Sequence, residues 1–590
     1  MPLANLYSYK IKTIFSGAVL FILLSLHLSS ILSYRNTFVD FDYLIVALLV
    51  PLIIILVPFF SFRKLNINII GSLISTLICL ACFFTMRFEY IVSLVCAGIV
   101  FYFFLSIYRM SGDYVYVLKI SVVSFFFISS LIFFESVFLH AKLFSRGNVD
   151  INTGVNGIFF AALIPFLIGI YCYVGEYRWK SLTVGTLFIV IWLVIDSQSR
   201  TAIISTLLSC LMFILIRTNL RLKKRNWKLW LKVVIVSGFI VSILICIFFI
   251  YRINTNSVSG RLLIYKISLK ILGDNPLLGV GMGNFRKYYN LYQADYFNGK
   301  TFGAENLLAR NIYYAFNDVL QFTIEMGLLR FIPLFLFFLF GVWKISHLIK
   351  ISTNPILLGT ASALLCLILC SQFSYPLHIL SIQVLSLFFL SNIIFLSWRF
   401  GQSSRNNITQ SVVMILVAGI LFIKITYESI LIYRCQIMWE KAALQSLNGN
   451  FSIAKKIYAT CYDNLKEDPE FLLNYGMELA IDGDYKQSLN ILTYAGFKVS
   501  DSELSLYTAF CNEHLKKYSE AEINYLRAVN MVPSSFTYKH YLLCFYINHG
   551  RTENIISTAK AISEQPIKVQ SVDVYQIKKH AMILLNKIKQ

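Results

Sequence analysis

Asn275-Pro276-Leu277-Leu278-Gly279-Val280-Gly281-Met282-Gly283-Asn284-Phe285 is a run of turn-formers in a chain that is otherwise mostly apolar. Asn275-Pro276 stops a preceding helix, and the alternating glycines suit a tight turn against a membrane surface. They do not form a dinucleotide fingerprint, because no β-α-β pattern surrounds them. Outward from the turn lies a polar interval, about Arg252 to Met326. It opens at Ser259-Gly260-Arg261 and closes at Asn317-Asp318-Val319-Leu320-Gln321 and Glu325-Met326-Gly327. Upstream of the turn, Leu263, Ile267 and Ile271 form an apolar stripe, with Lys266 and Lys270 one turn apart. That spacing predicts a helix lying on the membrane. Downstream, Tyr288, Tyr289, Tyr292, Tyr296, Tyr313 and Tyr314 mix with Arg286, Lys287, Lys300 and Arg310. Cations hold phosphate oxygens, and aromatic faces stack on sugars or cover lipid headgroups. The same composition also fits an aqueous loop with an interfacial tyrosine belt.

The flanks decide the class. Of 590 residues, 57% are hydrophobic and 14% charged, and the mean hydropathy is +0.68. Runs long enough to cross ~30 Å of hydrocarbon number about thirteen. They fall near 14–34, 41–60, 67–85, 90–107, 115–138, 155–174, 181–197, 199–216, 232–251, 327–345, 355–373, 377–397 and 411–432. Each is expected to be a helix, because lipid offers backbone amides no partner. The first follows Lys10 and Lys12 without a small-residue cleavage site, so it reads as retained. The net charge of +22 sits where topology needs it. With the N-terminus cytoplasmic, Arg63, Lys64, Arg109, Arg178, Lys180, the run Arg217 to Lys232, Lys344, Lys350, Arg399 and Arg405 all fall inside. The cluster Arg221-Leu222-Lys223-Lys224-Arg225 is then an anchor on anionic membrane lipid, not a nucleic-acid patch. The same orientation places the polar interval and the C-terminal tail on the far side of the membrane from the N-terminus, in a multi-pass membrane protein.

Within the spans, Lys119 and Glu135 lie near enough to a helix end to snorkel, and Cys79 and Cys82 lack a redox setting. Lys424 and Glu428 are spaced as an intrahelical pair. Asp196-Ser197-Gln198-Ser199-Arg200-Thr201-Ala202 makes a tight hairpin with Arg200 starting a helix, placed either to hold an anion or to pair with Asp196.

From about Cys435 the composition turns charged and repetitive. Phe451, Tyr485 and Tyr518 recur at intervals of 34 and 33 residues. Ala454, Ser488 and Ala521 follow three residues later, and Tyr458, Leu492 and Tyr525 seven later. This resembles tetratricopeptide repeats, with a fourth unit around Gly550. The expected architecture is therefore all-α: a polytopic membrane domain, 1–434, carrying the loop 252–326, and a far-side α-solenoid, 435–590. The tail cysteines, Cys435, Cys461, Cys511 and Cys544, read as small buried hydrophobes or as a pairing set.

The order of Ser199-Arg200-Thr201-Ala202, Gly260-Arg261, Pro276-Leu277-Leu278-Gly279-Val280-Gly281 and Asn317-Asp318-x-Leu320-Gln321-x3-Glu325-x-Gly327 resembles the O-antigen ligase and polymerase superfamily, which includes protein O-oligosaccharyltransferases. The resemblance covers roughly residues 140–400. It implies a metal-independent, inverting glycosyltransferase of the GT-C type that needs no cofactor. Its donor would be an undecaprenyl-pyrophosphate-linked glycan on the periplasmic face of a bacterial inner membrane, where loop and tail would lie, and its acceptor lipid A-core, a growing glycan or a protein. Arg200 and Arg261 match the family's pyrophosphate-holding arginines, and Glu325 its acidic residue; Arg286, Arg310, Tyr288, Tyr314, Asn317 and Gln321 complete the expected substrate set. One departure stands out. Phe316 occupies the family's usual histidine position, so either the acceptor hydroxyl needs little help or Asp318, Glu325 or His378 serves as the base. The rival readings are a transporter or flippase for lipid-linked glycans, and a non-catalytic scaffold whose repeat tail engages a protein partner.

Overall fold

The computed structural model describes residues 17, 18, 20–24, 98, 100, 101, 103–105, 107, 108, 114–138, 153–222, 255–300, 302–351, 354–397, 408–568 and 570–589. The expected spans at 41–60, 67–85 and 232–251, and the Cys79/Cys82 pair, lie outside the described residues; those at 14–34 and 90–107 are described in part. Every described element is helical. Five described helices are long and apolar enough to cross a membrane: Tyr114–Phe134, Asn156–Tyr173, Tyr177–Asp196, Arg200–Thr218 and Leu328–Ile349. Pro355–Ser371 and Leu380–Leu396 are shorter apolar helices.

The chain divides into two compact units. One comprises Met1–Ile253, Asn317–Val319 and Ile332–Arg434. Its centre is the helix Thr153–Tyr173, packed against Tyr177–Asp196, Arg200–Leu222 and Pro355–Ser371. The closest crossing puts glycine on glycine. A Cβ on Gly359 would stand 2.9 Å from the Cα of Gly169, so both helices need hydrogen at that point. Phe166 then meets Phe125, Phe388 and Phe389 in one aromatic layer. The helix Leu328–Ile351 instead turns Phe337, Phe340 and Trp343 outward, an apolar surface suited to lipid. Lys119 pairs with Glu176 at 2.6 Å, and Lys424 with Glu428 at 3.7 Å. The side chain of Glu135 lies outside the described residues.

The other unit comprises Asn254–Phe316, Leu320–Phe331 and Cys435–Gln590. Its tail is a succession of helix pairs: Pro469–Ile481 with Tyr485–Gly496, Ser502–His514 with Tyr518–Met531, and Phe536–Asn548 with Thr552–Glu564. The periodic positions explain the pairing. Ala454, Ser488 and Ala521 are buried where helices touch, as are Tyr458, Leu492 and Tyr525 one turn on. Gly476 has no room for a Cβ, which would stand 2.5 Å from a Leu492 methyl. Aspartates at 468, 484 and 501 cap the following helices through their side chains. Among the described residues the cysteines are free, and Cys435, Cys461 and Cys511 are buried.

Composition changes near Cys435, but the helix does not end there. Ile408–Leu447 is one helix of 40 residues, about 60 Å long at 1.5 Å per residue. Its last turns belong to the tail and pack on the helix Pro469–Ile481, where the Trp439 ring meets Phe471 edge-on. Trp439, Ala442 and Ala443 are buried, and the Trp439 indole donates to Asn474 at 2.7 Å.

The helices that start at Phe451, Tyr485, Tyr518 and Thr552 each begin two residues after a left-handed backbone position: Gly449, Gly483, Lys516 and Gly550. Only the third carries a side chain, which the left-handed region penalises. Lys516→Gly is expected to stabilise the tail by about 1 kcal/mol. Thermal unfolding of the full-length protein should show a higher Tm; an unchanged or lower value contradicts this.

Candidate functional site

The loop is built around the C-terminal end of the helix Asp318–Met326. Gly327 follows it in left-handed conformation, with φ +73, and its N–H donates back to Thr323 at 2.8 Å. The segment quoted at the outset straps over this end. Val280 N–H donates to Ile324 O at 3.0 Å and Gly281 N–H to Glu325 O at 2.9 Å, meeting carbonyls that a helix end leaves without partners. In return Leu328 N–H donates to Pro276 O at 2.8 Å. Gly279 and Gly327 face each other so closely that a Cβ on Gly279 would stand 2.4 Å from Gly327 N, and one on Gly327 2.2 Å from Leu277 O.

Glu325 is buried at the heart of this interlock. Its carboxylate accepts from Phe285 N–H at 3.3 Å and from the Gln321 amide at 3.2 Å. Burial raises its pKa, against the pull of the Gly283 and Phe285 amides and of Arg286. The carboxylate therefore closes the N-terminus of the helix Phe285–Phe297 from outside. Gln321, one turn earlier, accepts from Ala315 N–H at 3.0 Å. Together the two side chains tie both flanks of the loop to one short helix.

Phe316 is left-handed, with φ +52, and its carbonyl accepts from the Tyr265 hydroxyl at 3.2 Å. A non-glycine residue in that region is costly and clusters at functional sites. The Arg261 guanidinium lies 5.8 Å from the Phe316 ring centroid, a cation–π distance. Arg261 thus stands beside the residue at which the chain departs from the expected histidine. Tyr314 is raised by burial, and Arg286 opposes that shift from nearby. Lys287 covers Tyr288 at 5.4 Å, and Arg310 is exposed.

Arg200, Asn317, Asp318 and His378 belong to the first unit; Arg261, Arg286, Tyr288, Arg310, Tyr314, Gln321 and Glu325 belong to the second. In the first, Arg200 opens the helix Arg200–Leu222 after Ser199, whose hydroxyl accepts from Ala202 N–H at 3.3 Å. Gln198 is left-handed at the hairpin tip, and a Cβ on Gly157 would stand 2.3 Å from Ser197 Oγ. Asp196 accepts from the Ser136 hydroxyl at 2.9 Å. Farther along, Pro376–His378 forms a single 3-10 turn ahead of the helix Leu380–Ser397, so His378 lies in the turn and not in the helix. Its Nε2 stands 3.6 Å from Asp318 Oδ1, while Asp318 Oδ2 accepts from Leu377 N–H at 3.1 Å. Asp318 is 1% exposed. Burial holds His378 down at about 4, so the imidazole is neutral near pH 7. A neutral imidazole beside a fixed carboxylate can accept a proton and have the resulting charge stabilised.

Of the three base candidates, the structure pairs Asp318 with His378 and gives Glu325 hydrogen bonds that hold the loop. Among the described residues no three or more His, Cys, Asp or Glu side chains are grouped to hold a metal ion. Sequence reasoning missed Asn290, Gln293 and Asn311, whose amides bond to backbone or hydroxyl groups far along the chain.

Residues 185–339 match the family model described as O-antigen ligase. No curated protein matches the chain. Among solved structures, the crystal structure of the APC/C hetero-tetramer Cut9-Hcn1 is similar at 10% identity over 82% of this chain and 76% of that one. Its TM-score is 0.21, and a likeness at that level carries nothing about fold or partners.

Glu325→Gln keeps an oxygen for Phe285 N–H and is expected to preserve folding and transfer within a few-fold. Glu325→Ala leaves that amide unmet and is expected to cost about 1–3 kcal/mol. Melting temperatures and turnover of the two variants check this; a loss of 10²-fold or more in the Gln variant, the scale of a removed base, contradicts it.

Proposed function

We propose, from the O-antigen ligase domain that the chain carries at residues 185–339, that this membrane enzyme of the ligase or polymerase kind moves a glycan from an undecaprenyl-pyrophosphate carrier to an acceptor hydroxyl on the periplasmic face. The acceptor belongs to lipid A-core, to a growing glycan or to a protein. The membrane part comprises about thirteen helices with the N-terminus in the cytoplasm, in line with the distribution of Lys and Arg. The repeat tail shares the periplasm with the loop.

One observation carries the mechanism. The chain carries Phe316 at the family's usual histidine position, and a neutral His378 stands 3.6 Å from the buried carboxylate of Asp318. His378 takes the proton of the acceptor hydroxyl, and Asp318 stabilises the imidazolium that forms. The acceptor oxygen attacks the anomeric carbon from the face opposite the pyrophosphate. The bond between that carbon and the pyrophosphate oxygen breaks, so the configuration inverts. Arg200 and Arg261 supply positive charge to the departing pyrophosphate, and the amides at the N-terminus of the Arg200–Leu222 helix add to it. Planar guanidinium groups pair with two phosphate oxygens at once and supply the charge without a metal ion. Arg286, Arg310, Tyr288, Tyr314 and Asn317 bind the donor and its sugar; Gln321 and Glu325 keep the loop in place.

Arg200→Ala and Arg261→Ala are each expected to lower transfer by 10²-fold or more, the scale for removing a group that stabilises developing charge, with the protein still inserted. An assay with membranes and a lipid-pyrophosphate-linked glycan checks this; full transfer by both variants would remove the mechanism.

The pH profile has a definite sign. Burial favours the neutral imidazole, so the base persists as pH falls through the ordinary range and is lost only near pH 4. Accordingly kcat/KM should stay flat from pH 7.5 to about 5.5. His378→Gln should lower it by about 10²-fold or more at pH 7. An acid limb centred near 6.5 would contradict the lowered pKa of His378, and normal turnover by the variant would exclude His378 as the base.

A further inference from the structure

We propose that the turn Ser500-Asp501-Ser502, between two helices of the repeat tail, is a clasp that sets the position of the donor-binding loop, with Tyr313 and Asp501 as its positioning residues. The inference rests on the glycosyltransferase reading and assigns the tail a task inside the reaction. Both flanks of the loop reach this one turn. On the first flank, Ser500 N–H donates to Arg286 O at 3.2 Å, and the buried Asn290 amide donates to Ser500 O at 2.7 Å. The oxygen of the same Asn290 accepts from Ile312 N–H at 2.9 Å, which ties the first flank to the second. On the second flank, Asn311 donates to Ser502 Oγ at 2.8 Å and accepts from Ser502 N–H at 3.2 Å. The Tyr313 hydroxyl donates to Asp501 Oδ2. Gln293 adds a tie to the far end of the helix pair that this turn opens, since its amide donates to Arg310 O at 2.8 Å and to Met531 O at 2.6 Å.

Three features distinguish this clasp from incidental packing. Asn290, Gln293, Asp501 and Ser502 are all buried, so each bond removed leaves a polar atom unsatisfied away from water. The backbone carbonyls of Arg286 and Arg310 are both held, the first by the turn itself and the second through Gln293. Asp501 also divides its carboxylate between two tasks. Oδ1 accepts from Glu503 N–H at 2.7 Å and so caps the helix Ser502–His514, while Oδ2 receives the loop tyrosine. The turn that starts a repeat helix is thereby the point to which the loop is fastened.

Two substitutions separate the clasp from the cap. Tyr313→Phe removes the hydroxyl and leaves the helix cap untouched. Asp501→Asn keeps the oxygen that caps the helix and turns an amide N–H toward the Tyr313 hydroxyl, which can accept it. With full-length purified protein and a lipid-pyrophosphate-linked glycan, Tyr313→Phe should raise the donor KM about ten-fold, the scale of a hydrogen bond to a charged group, with kcat within about two-fold. Amide hydrogen exchange at residues 311–315 should be faster in that variant, and Asp501→Asn should stay close to the unmodified protein in both readouts. Faster exchange with an unchanged donor KM would show a clasp that positions nothing, and would overturn the proposal. Unchanged exchange would overturn the clasp itself. Absence of transfer by the unmodified protein would overturn the glycosyltransferase reading, and the positioning role with it, while exchange would still report on the clasp alone.

Discussion

Gly279 and Gly327 meet backbone to backbone, and the rest of the loop is arranged around that contact. Each adopts positive φ, and a Cβ on either would overlap main-chain atoms of the other's segment. The approach lets Val280 and Gly281 reach the carbonyls at the end of the Asp318–Met326 helix. It also buries Glu325 where its carboxylate can accept from Phe285 N–H. Removing the small residues would open the strap, expose the helix end and release the start of the Phe285–Phe297 helix. The polar interval is thus a folded element closed by a glycine contact, and its cations and aromatics are displayed from a fixed frame.

The acidic groups near the loop show how surroundings divide labour. Glu325 is buried among donors and is occupied in holding backbone. Asp318, buried as well, receives one backbone amide and faces an imidazole that burial keeps neutral. The difference lies in what each carboxylate meets, not in its residue type. Phe316 fits the same pattern. An aromatic ring cannot carry a proton, but it offers Arg261 a π face while its own carbonyl accepts from Tyr265.

Much of the fold was legible in the sequence, because burial leaves periodic marks. Apolar runs predicted the described membrane-length helices to within a few residues, and the 33–34-residue spacing of Phe451, Tyr485 and Tyr518 marked helix starts. The change of composition near Cys435 is not a change in backbone: the helix Ile408–Leu447 runs through it, while the two compact units divide between Arg434 and Cys435. The union of loop and tail in one compact unit left no mark at all. Its bonds join residues such as Asn290 and Ser500, 210 positions apart, through backbone carbonyls that every residue possesses. Phe316 likewise gave no warning of a left-handed backbone, since neither glycine nor asparagine stands there. The approach of His378 to Asp318 depends on a turn and a helix far apart in the chain, where no pattern links them.

The central claim is that guanidinium groups grip the donor's pyrophosphate while His378, held by Asp318, serves the attacking hydroxyl. A structure of the protein with a lipid-pyrophosphate-linked glycan bound measures this directly. The account predicts pyrophosphate oxygens within hydrogen-bond distance of Arg200 and Arg261, and the unhindered face of the anomeric carbon open toward His378. A pyrophosphate held by other residues, with both arginines turned away and His378 remote from the sugar, would contradict it.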